Sequence, residues 1–194
     1  MEEKAKIIYQ DKDILVLNKK SGVVCTREGR NDKDTLEDWL VEKLGDNDLP
    51  RKGIVHRLDK GTSGLMVVVR TKEARNTMLE MFKKREIKKT YLALIEGDLS
   101  REGEIKVPIA RSKYVFGKFA VSEEGKMAET SFKLVKKYNF DDKVYSLIER
   151  WRYGGVRDYW PLPLTSIYNN INDYLIAVGV IQLIGYFLWK KKQK

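Results

Sequence analysis

One stretch of the chain concentrates side chains able to do chemistry: Val55-His56-Arg57-Leu58-Asp59-Lys60-Gly61-Thr62-Ser63-Gly64-Leu65. Asp59 stands between Arg57 and Lys60 and just ahead of a Gly-Thr-Ser-Gly turn. A carboxylate held there can serve as a nucleophile or a base, and the flanking cations favour its ionised form. The same residues also fit an aspartate paired with an arginine in an ordinary loop, and residue types alone favour that plainer reading. His56 and Cys25 are the sole histidine and cysteine. That excludes a disulfide framework within the chain, a cysteine-rich zinc site and a metal site built from several histidines. His56 and Ser63 would be needed for a Ser-His-Asp hydrolase, yet Gly-Thr-Ser-Gly is not the Gly-x-Ser-x-Gly nucleophile elbow. A structural hydrogen-bonding role suits His56 better. Cys25 reads as a small apolar residue near a strand end.

The elements that must position Asp59 follow from periodicity. Ile7-Ile8-Tyr9 and Ile14-Leu15-Val16-Leu17 are short apolar β-type runs separated by the turn signal Asp11-Lys12-Asp13, and Ser21-Gly22 ends the second. Asp34 is placed to cap a helix with Leu36, Trp39, Leu40 and Leu44 on its apolar positions and Gly45 as its stop. Leu65–Val69 reads as a buried strand leading directly out of the Gly-Thr-Ser-Gly turn. Thr71 is placed to cap a second helix, with Ala74, Met78, Met81 and Phe82 on one face. Strands are expected over Lys88–Gly97, Glu104–Pro108, Thr130–Tyr138 and Val144–Glu149. Arg27–Lys33 and Ser112–Met127 read as polar, basic loops or hairpin arms.

Composition bounds the rest. With 194 residues, 42% hydrophobic and 34% charged, the chain can bury a core of one domain, or one domain plus a tail. Its 38 Lys+Arg against 28 Asp+Glu leave a net charge of +10, which suits a polyanion such as nucleic acid and equally a well-solvated basic surface. Cysteine usage fits a reducing cytoplasm, and Met1–Lys6 lacks the apolar core of a signal peptide. Residues 1–150 hold 32 Lys+Arg and 26 Asp+Glu, whereas 151–194 hold six and two. The break near Glu149–Trp151 divides a 1–150 domain from a hydrophobic 151–194 tail. Within that tail Tyr174–Trp189 is nearly all apolar and is followed by a lysine-rich end, but it is shorter than the ~20 residues of a membrane span.

His-Arg-Leu-Asp followed by Thr-Ser-Gly resembles the signature of the RluA-type pseudouridine synthases. Further stretches agree in the right order. Ile7–Gly22 is similar to the family's opening strand pair, Lys89-Thr90-Tyr91-Leu92-Ala93-Leu94-Ile95-Glu96-Gly97 to its Lys-x-Tyr-x-Ala-x-x-x-Gly strand, and Gly125–Thr130 to its Lys-x-Ala-x-Thr segment. The resemblance covers about residues 7–149 and looks like the family's small branch, for which no separate S4-type RNA-binding domain is expected. It implies an α+β fold, a mostly antiparallel mixed β-sheet with flanking helices, with the catalytic cleft at Asp59. It implies isomerisation of uridine to pseudouridine in ribosomal or transfer RNA. Asp59 matches the catalytic nucleophile, Tyr91 the tyrosine that packs on the uracil and assists proton removal, and Arg57 the arginine that helps hold the nucleotide flipped out. His56, Leu58 and Thr62 belong to the same substrate-binding motif. No metal and no organic cofactor is implied, and the expected enzyme is a cytoplasmic monomer. As additional RNA contacts the sequence offers the basic run Lys83–Lys89, which also fits a helix C-terminus complementing its dipole, and Lys113, Lys118 and Lys126 interleaved with Tyr114, Phe116 and Phe119.

After Glu149 the family pattern should continue with Thr-Gly-Arg-Thr-His-Gln-Ile-Arg and a Gly-Asp-containing stretch. Trp151–Lys194 contains neither. The expectation is a frameshift, truncation or gene-model error near 149–151, with a genuinely divergent tail as the alternative and the catalytic domain incomplete at its C-terminal end. The family's arginine in that segment pairs with the catalytic aspartate. Its absence keeps two other readings in view: a catalytically inactive RNA-binding relic, and an RNA-binding protein tethered to a membrane by Tyr174–Lys194.

Overall fold

The computed structural model describes residues 3–27, 33–99, 101–114, 119–140, 143–153 and 178–181. In chain order the strands and helices are β1 (Ala5–Gln10), β2 (Ile14–Lys19), α1 (Leu36–Leu44), β3 (Ser63–Val69), α2 (Lys72–Lys83), β4 (Lys88–Glu96), β5 (Glu102–Arg111), β6 (Phe119–Val121), β7 (Lys126–Phe140), β8 (Lys143–Tyr153) and β9 (Val178–Ile181). The described residues fall into two units. One runs up to Lys89 and includes β9, and the other covers Thr90–Arg152.

In the first unit the turn between β1 and β2 is local chemistry. Asp11 Oδ1 accepts from the backbone N–H groups of Asp13 and Ile14, each at 2.8 Å, the side-chain-to-backbone bonding that makes aspartate a turn residue. β1 and β2 then pair antiparallel, with a bulge between Ile7 and Tyr9. β3 pairs antiparallel with β2, from Ile14 opposite Val69 to Lys19 opposite Gly64, and β9 pairs parallel with β3 at Ser63–Val178 and Gly64–Gly179. Ile14 and Val16 of β2 join Val67 and Val69 of β3 in one core with Ala74, Met78, Met81 and Phe82 of α2. Each large side chain buried there contributes roughly 1.5–3 kcal/mol. The residues between them on β2 and β3, Leu15, Leu17, Met66 and Val68, are buried as well, so both faces of this sheet are covered.

Both helices form where expected, Gly45 ends the first, and Thr71 caps the second through a bond from the Ala74 N–H. The cap of α1 is corrected by one residue. Thr35 is the N-cap: its side chain accepts from the Asp38 N–H while the Asp38 carboxylate accepts from the Thr35 N–H at 2.8 Å, a reciprocal capping box. Asp34 lies one residue too early to reach those donors. It adopts a positive φ of 63° and forms an ion pair with Lys4.

The second unit is built from strands, in the order β4-β8-β7-β5-β6. β5–β6, β5–β7 and β7–β8 are all antiparallel. On β4 the alternation is strict, with Tyr91, Ala93 and Ile95 buried, and the last two meet Phe132 and Ile148 in a second small core. β5, β7 and β8 run further than their apolar centres predict. Glu102 lies opposite Lys133 and Lys106 opposite Glu129, so paired charges extend the ladder into polar sequence.

The α+β class with a mostly antiparallel mixed sheet and flanking helices is therefore what the described residues form, with β3–β9 a parallel pair. The tail 151–194 lies outside the described residues except for the end of β8 and for β9, and most of Arg27–Lys33 lies outside them too. Among the described residues no helix is long and apolar enough to cross a membrane.

A 3₁₀ turn at Pro50–Gly53 precedes the Asp59 motif. Gly53 has φ 85°, and a Cβ there would stand 2.0 Å from the Val69 carbonyl oxygen. Gly61 is open, with nothing within 4 Å of an added Cβ. Gly53→Ala is expected to destabilise the protein by at least about 2 kcal/mol in urea unfolding, and Gly61→Ala by less than about 0.5 kcal/mol. Equal effects would show that the close approach at Val69 relaxes freely.

Candidate active site

The segment from Ile54 to Thr62 doubles back on β3. Ile54 makes an isolated antiparallel bridge to Val68. Two residues on, the backbone leaves the ladder and a side chain takes over: His56 Nε2 accepts from the Val67 N–H at 2.9 Å. Accepting at Nε2 fixes the neutral imidazole with its proton on Nδ1. The buried ring lies 5.5 Å from the Phe82 ring, tilted by 41°. His56 therefore seats the motif against β3, the structural role its sequence context favours, and the nitrogen a Ser-His hydrolase would need faces the backbone. Leu58 is buried beside it, and a tight turn follows in which the Thr62 N–H donates to the Asp59 carbonyl at 3.0 Å. Thr62 is buried, while Asp59, Lys60 and Gly61 are exposed at the crest.

A turn without its own ladder needs outside donors for its carbonyls. Here they come from the segment after β2. Cys25 Sγ donates to the Leu58 carbonyl at 3.1 Å. The Gly22 N–H donates to the Lys60 carbonyl at 2.7 Å, and Ser21 Oγ to the Gly61 carbonyl at 2.7 Å. With the Thr62 bond, the four consecutive carbonyls from Leu58 to Gly61 all have donors. Gly22 meets the requirement through its φ of 86°, a conformation that side chains disfavour. Arg57 Nη1 donates to Thr26 Oγ1 at 3.2 Å, which ties the motif's arginine to the same segment.

Beneath the turn lies a charge that the sequence reading passed over. Lys19 is fully buried, and its ammonium donates to the carbonyls of Lys20 at 2.9 Å, Val23 at 2.8 Å and Lys60 at 3.4 Å. Burial pushes its pKa below the usual lysine range, against the opposing pull of Cys25 and Asp59. Burial also pushes the Cys25 thiol upward, so at neutral pH it remains the S–H donor that the Leu58 carbonyl requires. A signal for Lys19 was present: in the two-residue period of β2 it falls on the same face as Leu15 and Leu17, a position for an apolar side chain.

His56, Arg57, Leu58, Asp59 and Thr62 are thus gathered in one turn of the first unit, held by Lys19, Ser21, Gly22, Cys25 and Thr26. Tyr91 is buried on β4 in the second unit. Of the basic and aromatic residues read as an RNA-contacting hairpin, Phe116 and Lys118 lie outside the described residues. Tyr114 is 97% exposed. Lys113 pairs with Glu124 at 3.0 Å, and the Arg111 guanidinium lies 5.3 Å from the centre of the Phe119 ring, a cation–π contact. In the run closing α2, Lys83 pairs with Glu80, while Ile87 and Lys89 are buried, so part of that run is structural. Among the described residues no group of three or more His, Cys, Asp or Glu could hold a metal ion.

Comparison with known proteins gives a consistent picture. Residues 13–160 match the family described as RNA pseudouridylate synthase. The ribosomal large subunit pseudouridine synthase D of Nitrosomonas europaea is 33% identical over 153 residues, covering 78% of this chain and 44% of that protein. The protein of the same name from Yersinia pestis is 35% identical over 152 residues, covering 78% and 47%. This chain spans about half the length of the curated relatives it matches. Among solved structures, human RNA pseudouridylate synthase domain containing 1 has the same fold, with a TM-score of 0.73 at 20% identity over 92% of this chain and 79% of that one.

Replacing His56 by leucine retains an apolar contact for Phe82 but removes the acceptor of the buried Val67 N–H. His56→Leu is expected to lower stability by about 1–3 kcal/mol, seen as a lower urea midpoint at unchanged slope. An unchanged midpoint would mean that the Val67 N–H finds another acceptor.

Proposed function

The chain belongs to the RNA pseudouridylate synthase family, and from that premise we propose that it isomerises uridine to pseudouridine in ribosomal RNA with the Asp59 carboxylate as nucleophile. The observation that carries the proposal is the Asp59 turn itself: an exposed carboxylate on a crest whose backbone carbonyls, Leu58 to Gly61, are all tied down. Such a carboxylate meets its target without first being ordered, which is where positioning lowers a barrier. That the relatives from Nitrosomonas europaea and Yersinia pestis are ribosomal large subunit pseudouridine synthases supports ribosomal RNA as the substrate class.

In the proposed reaction Asp59 attacks the target nucleotide, the bond from N1 of uracil to C1′ breaks, and the base turns. A bond from C5 to C1′ then forms, the bond to Asp59 breaks and restores its carboxylate, the C5 proton leaves and N1 gains a proton. Atoms and electrons balance without a metal or an organic cofactor. Tyr91 is assigned to packing on the uracil and assisting the proton transfer, and Arg57 to holding the flipped nucleotide. His56, Leu58 and Thr62 shape the turn that receives it. The composition break near Glu149–Trp151 supports residues 1–150 as the catalytic part and 151–194 as a distinct tail. The proposed enzyme acts as a monomer in the cytoplasm, where ribosomal RNA is found. A second reading, a family member that binds RNA without isomerising it, draws on the missing Thr-Gly-Arg-Thr-His-Gln-Ile-Arg segment.

Because the C5 hydrogen is lost, release of tritium from RNA carrying 5-tritiated uridine reads the reaction directly. The expected result is release by the natural chain and a fall of at least about 10³-fold in Asp59→Asn, with RNA affinity changed by less than about threefold. Affinity itself should weaken steeply with salt, as phosphate contacts require. Salt-sensitive RNA binding by a natural chain that releases no tritium would establish the second reading.

A further inference from the structure

We propose that Lys19 is a positioning residue for Asp59: its buried ammonium fixes the crest of the turn through the Lys60 carbonyl and supplies the buried positive charge that acts on the Asp59 carboxylate. The proposal rests on the reading of Asp59 as nucleophile.

A buried ammonium is expensive unless each of its protons is bonded. That of Lys19 meets the carbonyls of Lys20, Val23 and Lys60. A neutral amine has two hydrogens, so three acceptors are served by the charged form. The lysine thus brings a full charge into an otherwise apolar face of β2, the face of Leu15 and Leu17. What the charge gains is Asp59. The groups that act electrostatically on Lys19 are Cys25 and Asp59. Cys25, itself acted on by Lys19, Arg57 and Asp59, is kept a neutral thiol by burial, and the bond to the Lys60 carbonyl sets the Lys19 ammonium at the residue next to Asp59. The interaction is mutual, so Lys19 favours the ionised carboxylate by as much as the carboxylate favours the ammonium. Of the motif's other cations, the Arg57 guanidinium donates to Thr26 Oγ1 at 3.2 Å and Lys60 stands exposed at the crest. Ser21 and Gly22 hold the same turn through neutral hydrogen bonds alone. Lys19 joins mechanical support to charge.

The two contributions separate experimentally. Lys19→Met keeps the length and removes the charge, and Ser21→Ala removes one neutral clasp and leaves the charge. Carbon-detected NMR follows the titration of the Asp59 carboxyl in the full chain. In Lys19→Met the midpoint is expected to rise by about one pH unit, because a nearby cation has been lost, and in Ser21→Ala it should stay within about 0.3 unit. An unmoved midpoint in Lys19→Met overturns the proposal. Should Lys19→Met fail to fold, the reciprocal measurement decides. The Lys19 ammonium, followed at its ε-carbon, should titrate about one unit lower in Asp59→Asn than in the natural chain, and equal midpoints overturn the proposal. In tritium release, Lys19→Met should shift the acid limb of kcat/KM to higher pH by the same amount, whereas a merely structural lysine would lower the rate at every pH without moving the limb. A natural chain that releases no tritium overturns the catalytic reading of Asp59 and the positioning role with it. The charge coupling is then judged by the two NMR titrations alone.

Discussion

Four peptide carbonyls, from Leu58 to Gly61, must find donors at a place where the chain forms neither helix nor ladder. The carbonyl of buried Leu58 would cost about 1–3 kcal/mol if left unbonded, whereas at exposed Asp59, Lys60 and Gly61 the bonds replace water and fix a turn that solvent alone would leave to wander. The donors are Cys25, Thr62, Gly22 with Lys19, and Ser21. Most of the first unit can be understood as the means of bringing these donors to that turn. The β1–β2 hairpin and the β2–β3 ladder set the register in which Lys19 lies opposite Gly64, directly beyond the turn. The N-terminus of α1 holds the connecting segment in place, since the Leu36 N–H bonds the Val24 carbonyl at 2.8 Å and the Glu37 N–H bonds the Cys25 carbonyl at 3.2 Å.

The same economy appears at the other end of the motif. The stretch that approaches Asp59 begins with Arg51 and Lys52 at φ 54° and 52°, followed by Gly53 at 85°. Non-glycine residues in this region cost about 1–2 kcal/mol each. Lys52 offsets part of that through a bond to the Asn47 carbonyl at 2.9 Å. The tight bend lays Ile54 against Val68 and lets His56 supply the acceptor that the departing backbone no longer offers. Strain before the motif and side-chain bonding within it together aim a short loop, and Asp59 sits at its crest.

The second unit works by different physics. Its strands alternate buried apolar residues with paired charges, and its core is small: Ala93, Ile95, Phe132 and Ile148, with Leu99, Ile105 and Leu134 packed against them. Ser146 stitches the end of β4 to β8, donating to the Gly97 carbonyl at 2.7 Å and accepting from the Leu99 N–H at 3.2 Å. Tyr91 belongs to the buried face of β4, so the residue assigned to the uracil is carried by a strand rather than by a loop.

Much of this was legible in the sequence. Short apolar runs locate β2 and β3, two-residue alternation locates β4, helical spacing with Thr71 and Gly45 marks helix ends, and His-Arg-Leu-Asp with Thr-Ser-Gly points to Asp59 and to the family, because these signals depend on neighbours within a few positions. The α1 cap was misplaced by one residue, since choosing between Asp34 and Thr35 depends on which oxygen reaches the Asp38 N–H. The strands run longer than the sequence predicts, since Glu102 and Glu129, which lie outside the expected spans, are held in the ladder by Lys133 and Lys106, some 30 and 20 residues away. Cys25 and Lys19 looked unremarkable for the same reason: a thiol bonded 33 residues on, at Leu58, and an ammonium bonded 41 residues on, at Lys60. The sequence by itself determined the family, the motif that offers Asp59 as the proposed nucleophile, and the periodicities around it. The tertiary structure decided what holds that residue still, because the donors for its carbonyls and the charge beneath it come from a segment that only strand pairing brings alongside.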